Sequence, residues 1–263
     1  MGEAGASRID FYIALNYRNL KEYDRAIDII NTIVKNDPNK EDAWQLLSFI
    51  YDEKGDSEKS DQVIKHLIET HPNSAEYYLF KAERLQQRKK YEESITALKE
   101  AALKFPQNDQ IYFLFGSAFE RLKRYQPAEE HFRKAISLNP RNANALNYLG
   151  YMLIDRGEQL EEAVGYVKKA LEIDGNNGAY LDSLGWGYFK LDNLDLAEDN
   201  LRMALERMRD NAVVHDHMGD LCFKQGKFRD AIHHWELAIE NKDEEVDPEY
   251  IRKKIEDTRT RLQ

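Results

Sequence analysis

Residues 143–174 read ANALNYLGYMLIDRGEQLEEAVGYVKKALEID, and their pattern decides the fold. Two apolar stripes spaced i, i+3, i+4 and i+7 flank the break RGEQ, as expected for two amphipathic helices joined by a short turn. Small residues stand inside both stripes: Gly150 in the first, Ala163 and Ala170 in the second. Such residues let two helix axes approach closely.

The same unit recurs along the chain. Pro38, Pro72, Pro106 and Pro140 are 34 residues apart, each between two helical runs, where a residue that cannot continue a helix belongs. Gly116, Gly150, Gly185 and Gly219 follow at steps of 34, 35 and 34. Ala128, Ala163, Ala197 and Ala231 keep that rhythm, as do Ala135, Ala170, Ala204 and Ala238. The one extra residue lies between Gly157 and Ala163, in a turn, where insertion costs least. A single helical pair cannot bury its apolar face alone, so neighbours must stack.

This helix–turn–helix period resembles the tetratricopeptide repeat (TPR), W-x2-L-G-x2-Y followed by A-x3-F and P. The matching residues are Trp44, Leu47, Tyr51 and Pro72; Phe115-Gly116, Phe119, Ala128, Phe132 and Pro140; Leu149-Gly150 with Ala163; and Leu184-Gly185, Tyr188 and Ala197. Ser60 and Ser94 replace the first alanine, Leu67 replaces the second in one unit, and Gly175 and Arg209 replace prolines. The resemblance implies an all-α, right-handed α-solenoid over residues 7–245. Its seven units are 7–40, 41–74, 75–108, 109–142, 143–177, 178–211 and 212–245, with a capping helix at 248–262 that turns Ile251, Ile255 and Leu262 inward.

Composition excludes several function classes. Of 263 residues, 42% are hydrophobic and 33% charged, a globular balance without the ~20-residue apolar run of a membrane span. The opening MGEAGASRID lacks the basic-then-apolar order of a signal peptide, and Ala6 stands where a myristoylation signal wants Ser or Thr. Net charge is −10, of which −2 falls in residues 1–140 and −8 in 141–263, which argues against a nucleic-acid ligand. Cys222 is the single cysteine, so no intrachain disulfide and no multi-cysteine metal site is expected.

Catalytic patterns are absent. Gly185 and Gly187 begin a G-x-G-x-x-G, but Lys190 stands at its third glycine and no strand precedes it. Ser183 has no base at local spacing. His215, His217, Cys222, His233 and His234 crowd one unit without the i, i+4 pair that one helix uses to hold a metal. We expect no metal, no cofactor and no enzymatic activity. RKKY at 88–91 and RLKRY at 121–125 place basic clusters at equivalent turns, solvated or forming a small edge for an acidic partner.

A second stripe, at repeat positions 5, 9 and 12, is rotated about 100° from the core stripe. In the TPR family this stripe lines the concave groove that binds extended peptides or partner helices. Early units supply Phe11, Leu15, Arg18; Gln45, Phe49, Asp52; Leu79, Glu83, Gln86; and Phe113, Ser117, Glu120. The last three supply Asn147, Tyr151, Ile154; Asp182, Trp186, Phe189; and Asp216, Asp220, Phe223. These nine form the candidate site, with Asn147, Asp182 and Asp216 expected to hold a peptide main chain and Ile154, Phe189 and Phe223 its side chains. The acids at position 5 stand where a carboxylate clamp would need lysine.

The expected function is a scaffold or adaptor binding another protein or peptide segment, without nucleic acid and without direct membrane insertion. The alternatives are a self-assembling homo-oligomer and the regulatory arm of an enzyme whose catalytic domain lies outside this chain. The second half also resembles bacterial envelope TPR lipoproteins and adaptors. That resemblance implies the periplasm where a signal or lipid anchor lies outside the chain, and otherwise the cytoplasm.

Overall fold

The computed structural model describes residues 3–262, with side chains from Arg8 onward. Fifteen helices and no strand occur among the described residues: α1 Glu3–Asn19, α2 Tyr23–Asn36, α3 Glu41–Lys54, α4 Ser57–Thr70, α5 Ala75–Gln87, α6 Tyr91–Lys104, α7 Asp109–Arg121, α8 Tyr125–Leu138, α9 Ala143–Arg156, α10 Leu160–Ile173, α11 Gly178–Lys190, α12 Leu194–Arg207, α13 Ala212–Lys224, α14 Phe228–Asn241 and α15 Pro248–Arg261. They form an all-α helical-repeat solenoid, in two compact units at 1–114 and 115–263.

The turn inside every helical pair contains one left-handed residue: Lys21, Gly55, Lys89, Lys123, Gly157, Asp192 and Gly226. They recur with the repeat period because the backbone must reverse within two or three residues, which needs one positive φ. The inserted residue adds a second. Gln159, with φ 48, caps α10, so the extra length is absorbed in the turn and the helices keep their register. Asn142, Asn177, Asn193 and Asn211 accept backbone N–H bonds at the starts of α9, α11, α12 and α13, satisfying donors that a helix start leaves unpaired.

Departures from the repeat pattern are compensated locally. Ser48 and Ser60, both fully buried, share a hydrogen bond of 2.7 Å, and Ser94 donates to the Ala82 carbonyl at 3.0 Å. A buried hydroxyl needs such a partner. Gly185 and Gly187 both mark close approach. A Cβ on Gly185 would lie 2.7 Å from Leu201 of α12, and one on Gly187 would lie 2.7 Å from Val164 of α10 and 2.9 Å from Ile154 of α9.

In 115–263, α9, α11 and α13 each pack on their own second helix, and α11 also packs directly on α9 and α13. These first helices form one continuous inner face. The terminal helix differs from expectation. Ile251 and Ile255 are buried as expected, but Leu262 is 46% exposed and Thr258 is the third buried residue. The reason is length: α15 ends at Arg261, while Thr258 completes the i, i+4, i+7 stripe and donates its hydroxyl to the Lys254 carbonyl at 2.7 Å.

Candidate functional site on the inner helix face

Helices α9, α11 and α13 carry all nine predicted residues, and these lie at two depths. Asn147, Ile154, Asp182 and Trp186 are buried, whereas Tyr151, Phe189, Asp216, Asp220 and Phe223 are half-buried. Ile154 is therefore no rung of an accessible apolar ladder. It lies under Gly187, where α11 settles onto α9.

Trp186 is 7% exposed and stacks parallel to two rings, Phe189 at 4.7 Å and His217 at 4.2 Å between centroids. The Lys190 ammonium lies 4.7 Å from the Trp186 ring, Lys224 lies 4.8 Å from Phe189, and the Arg261 guanidinium lies 5.0 Å from Phe223. Cations over ring faces are attracted by the ring quadrupole. Much of this aromatic surface therefore packs on itself, but the Trp186 indole N–H is buried without a hydrogen-bond partner.

The expected polar ladder is also engaged internally. His217 Nδ1 donates to Asp182 Oδ1 at 2.9 Å, and Lys254 of α15 lies 2.9 Å from Asp216 and 2.6 Å from Asp220. Trp235 Nε1 donates to Asp220 at 3.0 Å. Within this ladder the Asn147 side-chain carbonyl oxygen has no hydrogen-bond partner. Each acid is answered by a base from the next helical layer, which stripe analysis within one helix does not reveal. The available signal was the repeat period: Lys254 follows Asp220 by 34 residues and His217 follows Asp182 by 35.

These pairs set the electrostatics. Burial opposes protonation of His217, but the charge and hydrogen bond of Asp182, with Asp216 and Asp220 nearby, hold its pKa above the ordinary histidine value. Burial pushes the Asp220 carboxyl up although Lys254 opposes it. Burial also pushes the Tyr151 hydroxyl up, and neighbouring carboxylates add to the effect. In the histidine-rich unit, His215 and His234 face each other at 3.0 Å, and burial pushes His234 down to about 4. Burial raises the Cys222 thiol to about 11, which keeps it unreactive at neutral pH. No group of three potential metal ligands occurs among the described residues.

Two clefts open along this face. One, of about 490 Å³, lies between Tyr151, Trp186 and Phe189 on one side and Glu245, Val246 and Lys254 on the other. The second, of about 560 Å³, lies between Phe189 and Phe223 and the residues Tyr250 and Arg261 of α15. In 1–114 the equivalent stripe lines a separate cleft of about 510 Å³ with Gln45, Phe49, Leu79 and Glu83. There Asp52 pairs with Arg84 at 2.5 Å and with Arg88, and Arg84 covers the Phe49 ring at 4.4 Å.

Repeat period, helical pairs and inner stripe define a helical-repeat solenoid of the protein-interaction type. Family profiles described as tetratricopeptide repeat match residues 18–83, 81–142 and 113–178. The chain belongs to the tetratricopeptide repeat family. It is 40% identical over 92 residues to a TPR repeat-containing protein of Pseudomonas aeruginosa, a match covering 35% of this chain and 15% of that one. It is 30% identical over 119 residues to the anaphase-promoting complex subunit CDC16 of Saccharomyces cerevisiae, covering 43% and 14%. The matches thus cover about one seventh of the length of each of these relatives.

Among solved structures, a tetratricopeptide repeat protein of Parabacteroides merdae superposes with a TM-score of 0.67 at 12% identity, covering 97% of this chain and 99% of that one. PilF of Pseudomonas aeruginosa superposes at 0.59 with 17% identity, covering 84% and 100%. At these identities the likeness is one of fold. Proteins of this family are generally non-catalytic and bind other proteins, and no helix among the described residues is long and apolar enough to cross a membrane.

Proposed function

We propose that this chain is a non-enzymatic adaptor that holds an extended segment of another protein against the inner face of α9, α11 and α13, within a bacterial envelope complex. The observation that carries the reading is the Trp186 indole N–H, buried without a partner at the wall of a cleft flanked by half-exposed Phe189. A donor left unpaired in a buried site is costly unless a ligand accepts from it. Trp and Tyr are favoured anchors at interfaces, and a surface preorganised by helix packing lowers the ordering cost of binding. The envelope setting rests on the sequence resemblance of the second half.

The test is peptide selection against the full chain, followed by affinity measurements on Phe189→Ser and Phe223→Ser, with circular dichroism to verify folding. Both rings are half-buried, so their removal leaves the deeper Trp186 layer in place. Binding at least tenfold weaker is expected for these variants and unchanged for Leu79→Ser in the other cleft. The reverse pattern would move the site to residues 1–114. Light scattering over a concentration series separates the self-assembly alternative.

A further inference from the structure

The charges around the 490 Å³ inner-face cleft do not balance. Among the described residues, four carboxylates line it, on Asp155, Asp216, Asp220 and Glu245, against two ammonium groups, on Lys190 and Lys254. His217, also in the lining, is already paired with Asp182 at 2.9 Å. The cations present are shared. Lys254 lies 2.9 Å from Asp216 and 2.6 Å from Asp220. Glu245 lies 2.7 Å from Arg121, a guanidinium that Glu120 also faces at 3.7 Å. Lys190 is turned to the Trp186 ring at 4.7 Å and to the Asp155 backbone carbonyl at 3.5 Å. The Asp155 carboxylate, exposed on the lining, has no ion-pair partner among the described residues.

Neighbouring groups register this excess. Burial raises the Tyr151 hydroxyl, and the Asp182, Asp155, Glu245 and Glu120 carboxylates raise it further. Burial likewise pushes the Glu120 carboxyl up; Arg121 opposes the shift, and Glu245 and Asp155 add to it. Carboxylates gathered in a cleft with low-dielectric walls attract a cation more strongly than the same charges spread over open surface.

A second, independent feature lies in the same wall. Trp186 is 7% exposed, with its ring stacked on Phe189 and His217, and its buried indole N–H has no acceptor. A cation cannot satisfy that donor, whereas a peptide carbonyl can. The wall lacks an oxygen acceptor and the lining lacks positive charge. A basic residue in an extended main chain carries both.

We propose that the inner-face cleft selects its partner segment by an arginine, whose guanidinium enters among Asp155, Asp216 and Glu245 while a main-chain carbonyl beside it accepts from Trp186 Nε1. This names the partner of the binding reading above and rests on it. Arginine suits the lining better than lysine. Its planar fork of five donors serves several carboxylates at once, and a guanidinium is more weakly hydrated than an ammonium. The charge of the chain, −8 in 141–263 against −2 in 1–140, steers such a segment toward this half.

The test measures fluorescence anisotropy of labelled, amidated Ser-Val-Thr-Arg-Val-Thr-Ser on the full chain, beside the same peptide with lysine or citrulline at its centre. Citrulline keeps the shape of arginine and loses the charge. The arginine peptide is expected to bind more tightly than the citrulline peptide by about tenfold or more, with lysine between them. Asp155→Asn, at an exposed position, should narrow the arginine-to-citrulline ratio by about threefold. Glu161→Gln, exposed on α10 and outside the cleft, should leave the ratio unchanged. Circular dichroism verifies the folding of each variant.

Equal binding of the arginine and citrulline peptides to wild type, or equal failure to bind, would overturn the proposal. So would a preference that Asp155→Asn and Glu161→Gln reduce alike, because it would report the acidic surface as a whole. Should both peptides bind equally and both need Phe189, the arginine is refuted and the cleft reading stands. An arginine preference indifferent to Asp155→Asn, Phe189→Ser and Phe223→Ser would remove the cleft reading as well.

Discussion

The two units treat the same repeat positions in opposite ways. In 1–114, Arg84 of α5 stands at the position that Gly187 of α11 occupies in 115–263, and Asp52 of α3 stands where α9 has Ile154. The first pair is a buried ion pair of 2.5 Å, and the second is a glycine laid against an aliphatic side chain. Helices α9 and α11 consequently approach through their backbones, which α3 and α5 do not. Close approach buries Ile154 fully and Trp186 to 7% exposure, and leaves Phe189 and Phe223 half-buried above them. The ion pair instead keeps a charged floor under Phe49. One repeat thus makes two kinds of inner surface, depending on whether its first helices are bridged by charge or seated on glycine.

The sharpest way to break this comparison is to remove one partner from a buried pair in each unit. Asp52→Ala strands Arg84, and Asp182→Ala strands His217; each should cost about 3–5 kcal/mol in urea unfolding followed by circular dichroism. A cost near zero at either site would show that its charge is not held as the geometry indicates. The Asp182 pair also carries a pH signature. The folded pKa of His217 is raised above its unfolded value, so its contribution is fully present below about pH 6.5 and lost as pH rises through the raised value. The Tm difference between wild type and Asp182→Asn should therefore shrink from pH 6 to pH 9. A constant difference would contradict the raised pKa.

Smaller effects probe the glycine side. Gly187→Ala places a Cβ against Val164 and Ile154 and should cost about 1–3 kcal/mol, despite alanine's better helix propensity. Gly165→Ala, where nothing lies within 4 Å, should stabilise by about 0.5–1 kcal/mol. A stabilised Gly187→Ala would mean that α11 can lift off α9 at no cost. The smallest effect concerns the turns. Lys89 and Lys123 hold left-handed backbones with side chains attached, so replacing either with glycine should gain up to about 1 kcal/mol in thermal unfolding.

Much of the architecture was legible. Four prolines 34 residues apart, with the alanine and glycine series, place the helical pairs and locate the inserted residue in the turn that Gln159 now closes. Gly187, which the repeat pattern leaves unassigned, is a small residue where α9 and α10 arrive. The site was legible as a face but not as a surface. Period 3.6 tells which side chains turn inward, and by that rule Ile154, Trp186 and Phe189 are equivalent. Their exposure differs because of how closely α9 and α11 approach, which depends on Gly187 meeting residues of two other helices. The internal pairing of the polar ladder was not legible for a related reason: His217 and Lys254 answer its acids from a neighbouring repeat and from the terminal helix.

By itself the sequence determined the helical pairs, their turns, the inner stripe and the absence of catalytic spacing, because all of these depend on residues within one period of each other. Tertiary structure alone decided which inner residues stay exposed and which are buried. It also joined Glu245 to Arg121 and laid Val246 against the cleft. The Glu245–Arg121 contact links residues more than three repeats apart, and both contacts follow from the accumulated packing of successive helices, which no local pattern encodes.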